Sequence, residues 1–227
     1  SSERDANIAG TSALFREYGV PDDVLERMDE RRWEQLRTQS ALAEPTRVDR
    51  SLRDGESIAF KDFALEVIHA PGHTAGDILL HHAESSVLLS GDHILGHAVP
   101  NTENYYLEGL PDPRDPLRRR PRFKGLLMYR NSLRALRRRS FRIILPAFGG
   151  VIGAGNRAIR DALLYYDVRV QRIERSLRSV AALGQSVTAY ELWRALFPDA
   201  DASREMRTHL LMVIGALDVL EESGACS

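Results

Sequence analysis

The 227-residue chain carries 31 Lys and Arg against 32 Asp and Glu, a formal net charge of −1, with 43% hydrophobic and 28% charged residues. That balance is ordinary for a globular chain with one core and a small appended domain. It excludes a chain steered as a whole towards nucleic acid or an anionic membrane.

Residues 1–40 read as two helices. The first, about Ala6–Tyr18, stops at Gly19, and Pro21 permits a restart. The second, about Asp22–Arg37, places Val24, Leu25, Met28, Trp33 and Leu36 near one stripe and opens on acidic residues that suit the helix dipole. The opening Ser1–Asp5 is too polar for a signal peptide. No apolar run reaches the roughly 18–20 residues of a membrane span. Ala41–Arg50 is a linker around Pro45.

Strand patterns follow. Asp54-Gly55 marks a turn, Phe63–His69 alternates, and Pro71-Gly72 ends it. Ile78–Leu80 and Val87–Leu89 flank Ala83–Ser86 as a hairpin would. Pro100–Pro121, rich in Pro, Asn and Asp, reads as a long loop. Leu126–Leu136 is helical, Phe141–Leu145 is a buried strand, and Gly149, Gly150, Gly153 and Gly155 form the next loop. Arg157–Ala182 is a long helix. Thr188–Glu191 has the form of a capping box before a short helix to Phe197, and Glu205–Glu222 is an apolar-faced helix. The expected organisation is a first domain over 1–155 (a helical segment over 1–45, strands and loops over 50–155) and a small helical, winged-helix-like domain over 156–227. The single cysteine, Cys226, can form no internal disulfide, which fits a reducing, cytoplasmic setting.

Two segments carry chemistry. In Ala70-Pro71-Gly72-His73-Thr74-Ala75-Gly76-Asp77 a strand ends and a turn presents a histidine beside a hydroxyl. In Leu88-Leu89-Ser90-Gly91-Asp92-His93 another strand ends and presents a carboxylate. Imidazole and carboxylate are good ligands for zinc and similar ions, and residues at strand ends converge even when distant in sequence. Either segment alone is a common turn; the pair, with a hairpin between, is far more specific.

Together, Val67–Asp77 and Leu88–Leu95 resemble the metallo-β-lactamase superfamily, in particular the branch with a helical C-terminal extension that includes β-lactamase-like 2 proteins. The resemblance implies an α/β chain: the C-terminal part of an αββα sandwich, with a small helical domain after it. It implies that His73 and Asp92 are metal ligands, with Asp92 also catalytic, and that Thr74, His93, His97, Tyr105 and Phe148 line the pocket. The implied cofactor is at most one zinc ion. The implied activity is metal-dependent hydrolysis of a small acyl compound such as a thioester or ester.

Two features depart from that pattern. No His-x-His-x-Asp-His run occurs, and residues 1–40 resemble the helices that follow it, so the first half of the fold is expected to be missing. Pro146-Ala147-Phe148-Gly149 places Phe148 where relatives carry a second-metal histidine, and Tyr165-Tyr166 stands where many carry His-His or His-Arg. An inactive relative that binds a ligand or partner is therefore the alternative, and a nuclease a further one. Arg118–Arg120 and Arg137–Arg139 read as solvated runs rather than a phosphate site. A small-molecule substrate and a second copy of the chain are the expected partners; membrane and nucleic acid are not. Among the other histidines, His69 is expected to be structural, His81 and His82 solvated, and His209 unrelated to chemistry.

Overall fold

The computed structural model describes residues 3–40, 47–107, 120–202 and 204–225. In chain order the elements are α1 (Glu3–Glu17), α2 (Asp22–Ser40), β1 (Ser57–Ala59), β2 (Ala64–His69), β3 (Ile78–His82), β4 (Val87–Gly91), β5 (Asn104–Tyr106), β6 (Arg122–Lys124), α3 (Gly125–Leu136), β7 (Ile143–Pro146), α4 (Gly155–Ala182), α5 (Ala189–Leu196) and α6 (Met206–Glu222). The mixed α/β class is as expected. Residues 41–46 of the linker, Arg118, Arg119 and Cys226 lie outside the described residues.

Two compact units emerge, one from residues 1–49, 104–123 and 174–214, the other from 50–103, 124–173 and 215–227. In the first, α1 packs on α2 and on β5, which pairs with β6. Leu14, Phe15, Val24, Leu25, Met28 and Trp193 are buried. Trp33, placed by sequence on the same stripe, is 38% exposed. At 3.6 residues per turn it lies roughly 140° round the helix from Met28, off the buried face. The capping box forms as expected: Thr188 Oγ1 accepts from the Glu191 amide at 3.2 Å, and the Thr188 amide donates to Glu191 Oε2 at 2.7 Å. The stretch read as one long loop instead carries β5, and β6 begins directly after it; each is only three residues and too short for a periodic signal.

The second unit holds a five-stranded sheet in the order β1-β2-β3-β4-β7. β1 to β4 pair antiparallel, and β7 joins β4 in parallel. Side chains alternate across a strand, and the register puts Ile68, Leu79, Leu88 and Ile144 on one face, where all four are buried, with Val67 buried on the other. The same parity overturns the expectation that His81 is solvated. It lies two residues beyond Leu79 on the same face and opposite Leu88 in register, and it is 8% exposed. Its ring meets Phe141 edge-on at 5.1 Å, and its Nδ1 lies 3.3 Å from Glu66, which Arg139 also binds. The guanidinium, opposed by partial burial and helped by His81, holds the Glu66 carboxyl below its usual range.

This pairing pattern positions the site. β2 and β4 are each antiparallel to β3, and β7 is parallel to β4, so β2, β4 and β7 all point the same way. The loops leaving them, over 70–77, 92–103 and 147–154, therefore emerge at one end of the sheet.

Candidate functional site

Two glycines set the exits from β2 and β4. At Gly91 the backbone takes φ +52, a left-handed conformation that costs glycine little, and a register shift beside it turns the chain towards Asp92. At Gly72 the chain passes so close to α3 that an added Cβ would lie 2.5 Å from Tyr129 Cα. Ser132 of α3 donates its hydroxyl to the Pro71 carbonyl at 2.9 Å, fixing the same loop.

The two residues expected as ligands do come together. His73 Nε2 lies 3.8 Å from Asp92 Oδ2. Donors each about 2.0–2.2 Å from one ion at a tetrahedral angle sit roughly 3.4 Å apart, so little movement is needed to share one. His73 Nδ1 is 2.7 Å from the Asn101 carbonyl. A carbonyl only accepts, so Nδ1 carries the proton and the lone pair is left on Nε2, facing the carboxylate. Asp92 Oδ1 is buried and has no hydrogen-bond partner. These features suit an ion held by nitrogen and oxygen. Among the described residues, however, no group of three or more His, Cys, Asp or Glu side chains is assembled that could hold one.

Asp77, whose role the sequence reading left unassigned, ties the two ligand loops together. It accepts from the Thr74 amide at 3.0 Å and from the Thr74 hydroxyl. Its Oδ2 also faces His93 Nδ1 at 3.7 Å, beyond hydrogen-bond length. Burial raises its pKa, but His93 and the two Thr74 donors outweigh it, and the carboxyl stays below its usual range. Thr74 is therefore bound to Asp77, and the buried His93 is a structural neighbour of the site. The His93 ring lies 4.6 Å from that of Tyr129, whose hydroxyl donates to the His93 carbonyl at 2.7 Å. Burial lowers the His93 pKa, partly offset by Asp77, and the imidazole is neutral at neutral pH. Tyr129 is pushed well above its ordinary value by burial, with Tyr166 and Asp77 adding to the effect.

His97 packs against Gly149 and lines a groove of about 500 Å³ beside the site. Phe148 is 63% exposed on the loop after β7. Tyr105 belongs to the other unit, where its ring lies 5.3 Å from that of Phe123. His69 Nε2 is 3.0 Å from the Ala75 carbonyl, and His209 stacks on Phe197 at 4.3 Å. Tyr129 was missed in the sequence because a tyrosine inside a helical pattern carries no motif; only the approach to Gly72 reveals it.

The family described as "Metallo-beta-lactamase superfamily" matches residues 9–147, more than half of the chain. The chain belongs to that superfamily. It is 27% identical over 214 residues to "Probable metallo-hydrolase YqjP" of Bacillus subtilis (strain 168), covering 93% of this chain and 60% of that one. A shorter stretch of 48 residues is 46% identical to "Acyl-coenzyme A thioesterase MBLAC2" of Gallus gallus, 21% of this chain and 17% of that protein. The fold resembles that of a metallo-beta-lactamase family protein from Thermus thermophilus, with a TM-score of 0.69 and 24% identity over 99% of this chain and 62% of that one. The chain thus spans about 60% of the length of the full-chain relative it matches. Among the described residues no helix is long and apolar enough to cross a membrane.

Proposed function

We propose that this chain belongs to a metal-dependent hydrolase of small acyl compounds, thioesters or esters, with His73 and Asp92 in its reaction centre. One observation carries the reading. Two side chains from separate strand ends meet at 3.8 Å, and the histidine tautomer is fixed so that its free lone pair faces the carboxylate. The thioesterase named among the relatives supports the acyl class.

His73 Nε2 and Asp92 Oδ2 would hold one zinc ion, with the remaining positions filled from outside the described residues. Zinc suits a nitrogen and oxygen donor set. The ion, when bound, supplies Lewis-acid polarisation and a water of low pKa. The chain's own contribution is orientation. The Asn101 carbonyl keeps the proton on His73 Nδ1, and Asp77 steadies the loop through Thr74. Asp92 Oδ1 is buried and without a partner beside the Oδ2 that faces His73. A second reading, a relative that binds its ligand without hydrolysis, is favoured by Phe148, which has no atom able to ligate a metal.

Elemental analysis of the purified protein, beside His73→Ala and Asp92→Ala, tests the proposal. Near-stoichiometric zinc in the parent, lost in both variants, together with thiol release from acyl thioesters, is expected. Absence of zinc from a parent that takes none up on incubation, with both variants folded, overturns the hydrolase reading in favour of the second.

A further inference from the structure

The groove beside the site has a wall that the proposed chemistry does not use. One side is the loop over 94–100; the other is the first turns of α4 with Ile152. Its 500 Å³ lies within the range of small-molecule sites. The loop is tied to the candidate ligands at both ends. It begins two residues after Asp92 and runs into Asn101, whose carbonyl holds His73. Tyr166 donates its hydroxyl to the Pro100 carbonyl, anchoring the loop to α4. Tyr129 lines the groove and contacts His93 next to Asp92. The groove therefore adjoins the site through the loop that follows Asp92, with neither His73 nor Asp92 in its own lining.

Its chemistry selects an occupant. Leu95, Val99, Ile152 and Ala158 make an apolar lining. The two charged residues, Arg157 and Asp161, sit at the rim and pair with each other at 3.5 Å. As a largely exposed pair they present no net charge to a substrate group. Tyr165 closes one end and is braced by Arg169, whose guanidinium lies 3.3 Å from the ring centroid. The helical wall from Arg157 to Tyr165 runs over nine residues, eight steps of 1.5 Å or roughly 12 Å. An extended chain advances roughly 1.2 Å per bond, so the wall matches on the order of ten carbons.

We propose that this groove seats an unbranched acyl chain of about that length, with its carbonyl end towards Asp92. The inference rests on the hydrolase reading above and names its substrate class.

The first measurement needs neither metal nor turnover: titration with 11-(dansylamino)undecanoate followed by fluorescence. The parent is expected to bind, and Ala158→Trp, which fills the groove from the half-exposed face of α4, to bind at least tenfold more weakly. Val99→Asp on the opposite wall should give the same loss and serves if the α4 variant fails to fold. In a second measurement, kcat/KM for alkanoyl thioesters should rise about three- to fourfold per added methylene, from roughly 0.8 kcal/mol each, and level off near ten carbons. Absence of probe binding, or equal binding by parent and both variants, overturns the groove assignment, as does an equal kcat/KM for acetyl and decanoyl thioesters. Groove-dependent probe binding without any thioester hydrolysis instead overturns the hydrolase reading and leaves a chain-binding groove standing.

Discussion

His93 shows how much a single residue's setting matters. Its ring is buried, both nitrogens lack hydrogen-bond partners, and its nearest charge is Asp77 at 3.7 Å. The folded protein therefore favours the neutral ring, and its pKa falls below the ordinary 6.5. The unfolded chain takes up a proton as pH drops through about 6.5, while the folded chain resists until its own lower pKa is reached. Stability contributed by the neutral ring is full above pH 6.5 and is lost as pH falls below it, at no more than about 1.4 kcal/mol per pH unit for one proton. Urea unfolding at a series of pH values should show this decline in the parent and a shallower one in His93→Gln. Identical slopes would show that His93 is not the group responsible.

Among elements, the seam between α3 and the loop after β2 governs where His73 stands. Gly72 has no room for a side chain, because Tyr129 backbone and ring atoms already occupy the space a Cβ would need. Gly72→Ala should cost about 1–3 kcal/mol by overpacking, read as a lower urea midpoint, and should loosen any metal held by His73. In the other unit, α5 depends on the reciprocal bonds between Thr188 and Glu191. Thr188→Ala should cost about 1 kcal/mol and lower the melting temperature without changing metal content. A variant as stable as the parent would show that the cap is dispensable.

Over the whole molecule, the directions of β2, β4 and β7 decide that the ligand loops share one end of the sheet. That arrangement depends on the layer formed by Ile68, Leu79, Leu88 and Ile144, all buried on one face of the sheet. Leu88 lies on β4, four residues before Asp92. Leu88→Ala should cost about 2–5 kcal/mol, seen as an earlier unfolding transition by circular dichroism. A cost under about 1 kcal/mol would mean that the sheet core is not what holds the site together.

Patterns complete within a few residues were legible in the sequence. Pro71-Gly72-His73 and Gly91-Asp92 announce their own turns, Thr188–Glu191 its own cap, and the long apolar periodicities of α3, α4 and α6 their own helices. Each rests on interactions between near neighbours in the chain, so local chemistry determines it. The three-residue strands β1, β5 and β6 were missed because so short a run has no period to read; partners elsewhere in the chain make them strands. Likewise, no local signal shows that His81 is buried opposite Leu88, that Asp77 faces His93, that Tyr129 fills the space above Gly72, or that Tyr105 lies in the other unit. Local chemistry thus settles which residues strand ends present. Which of them meet is settled by the folded chain, because strand direction and side-chain parity arise from pairing between segments far apart in sequence.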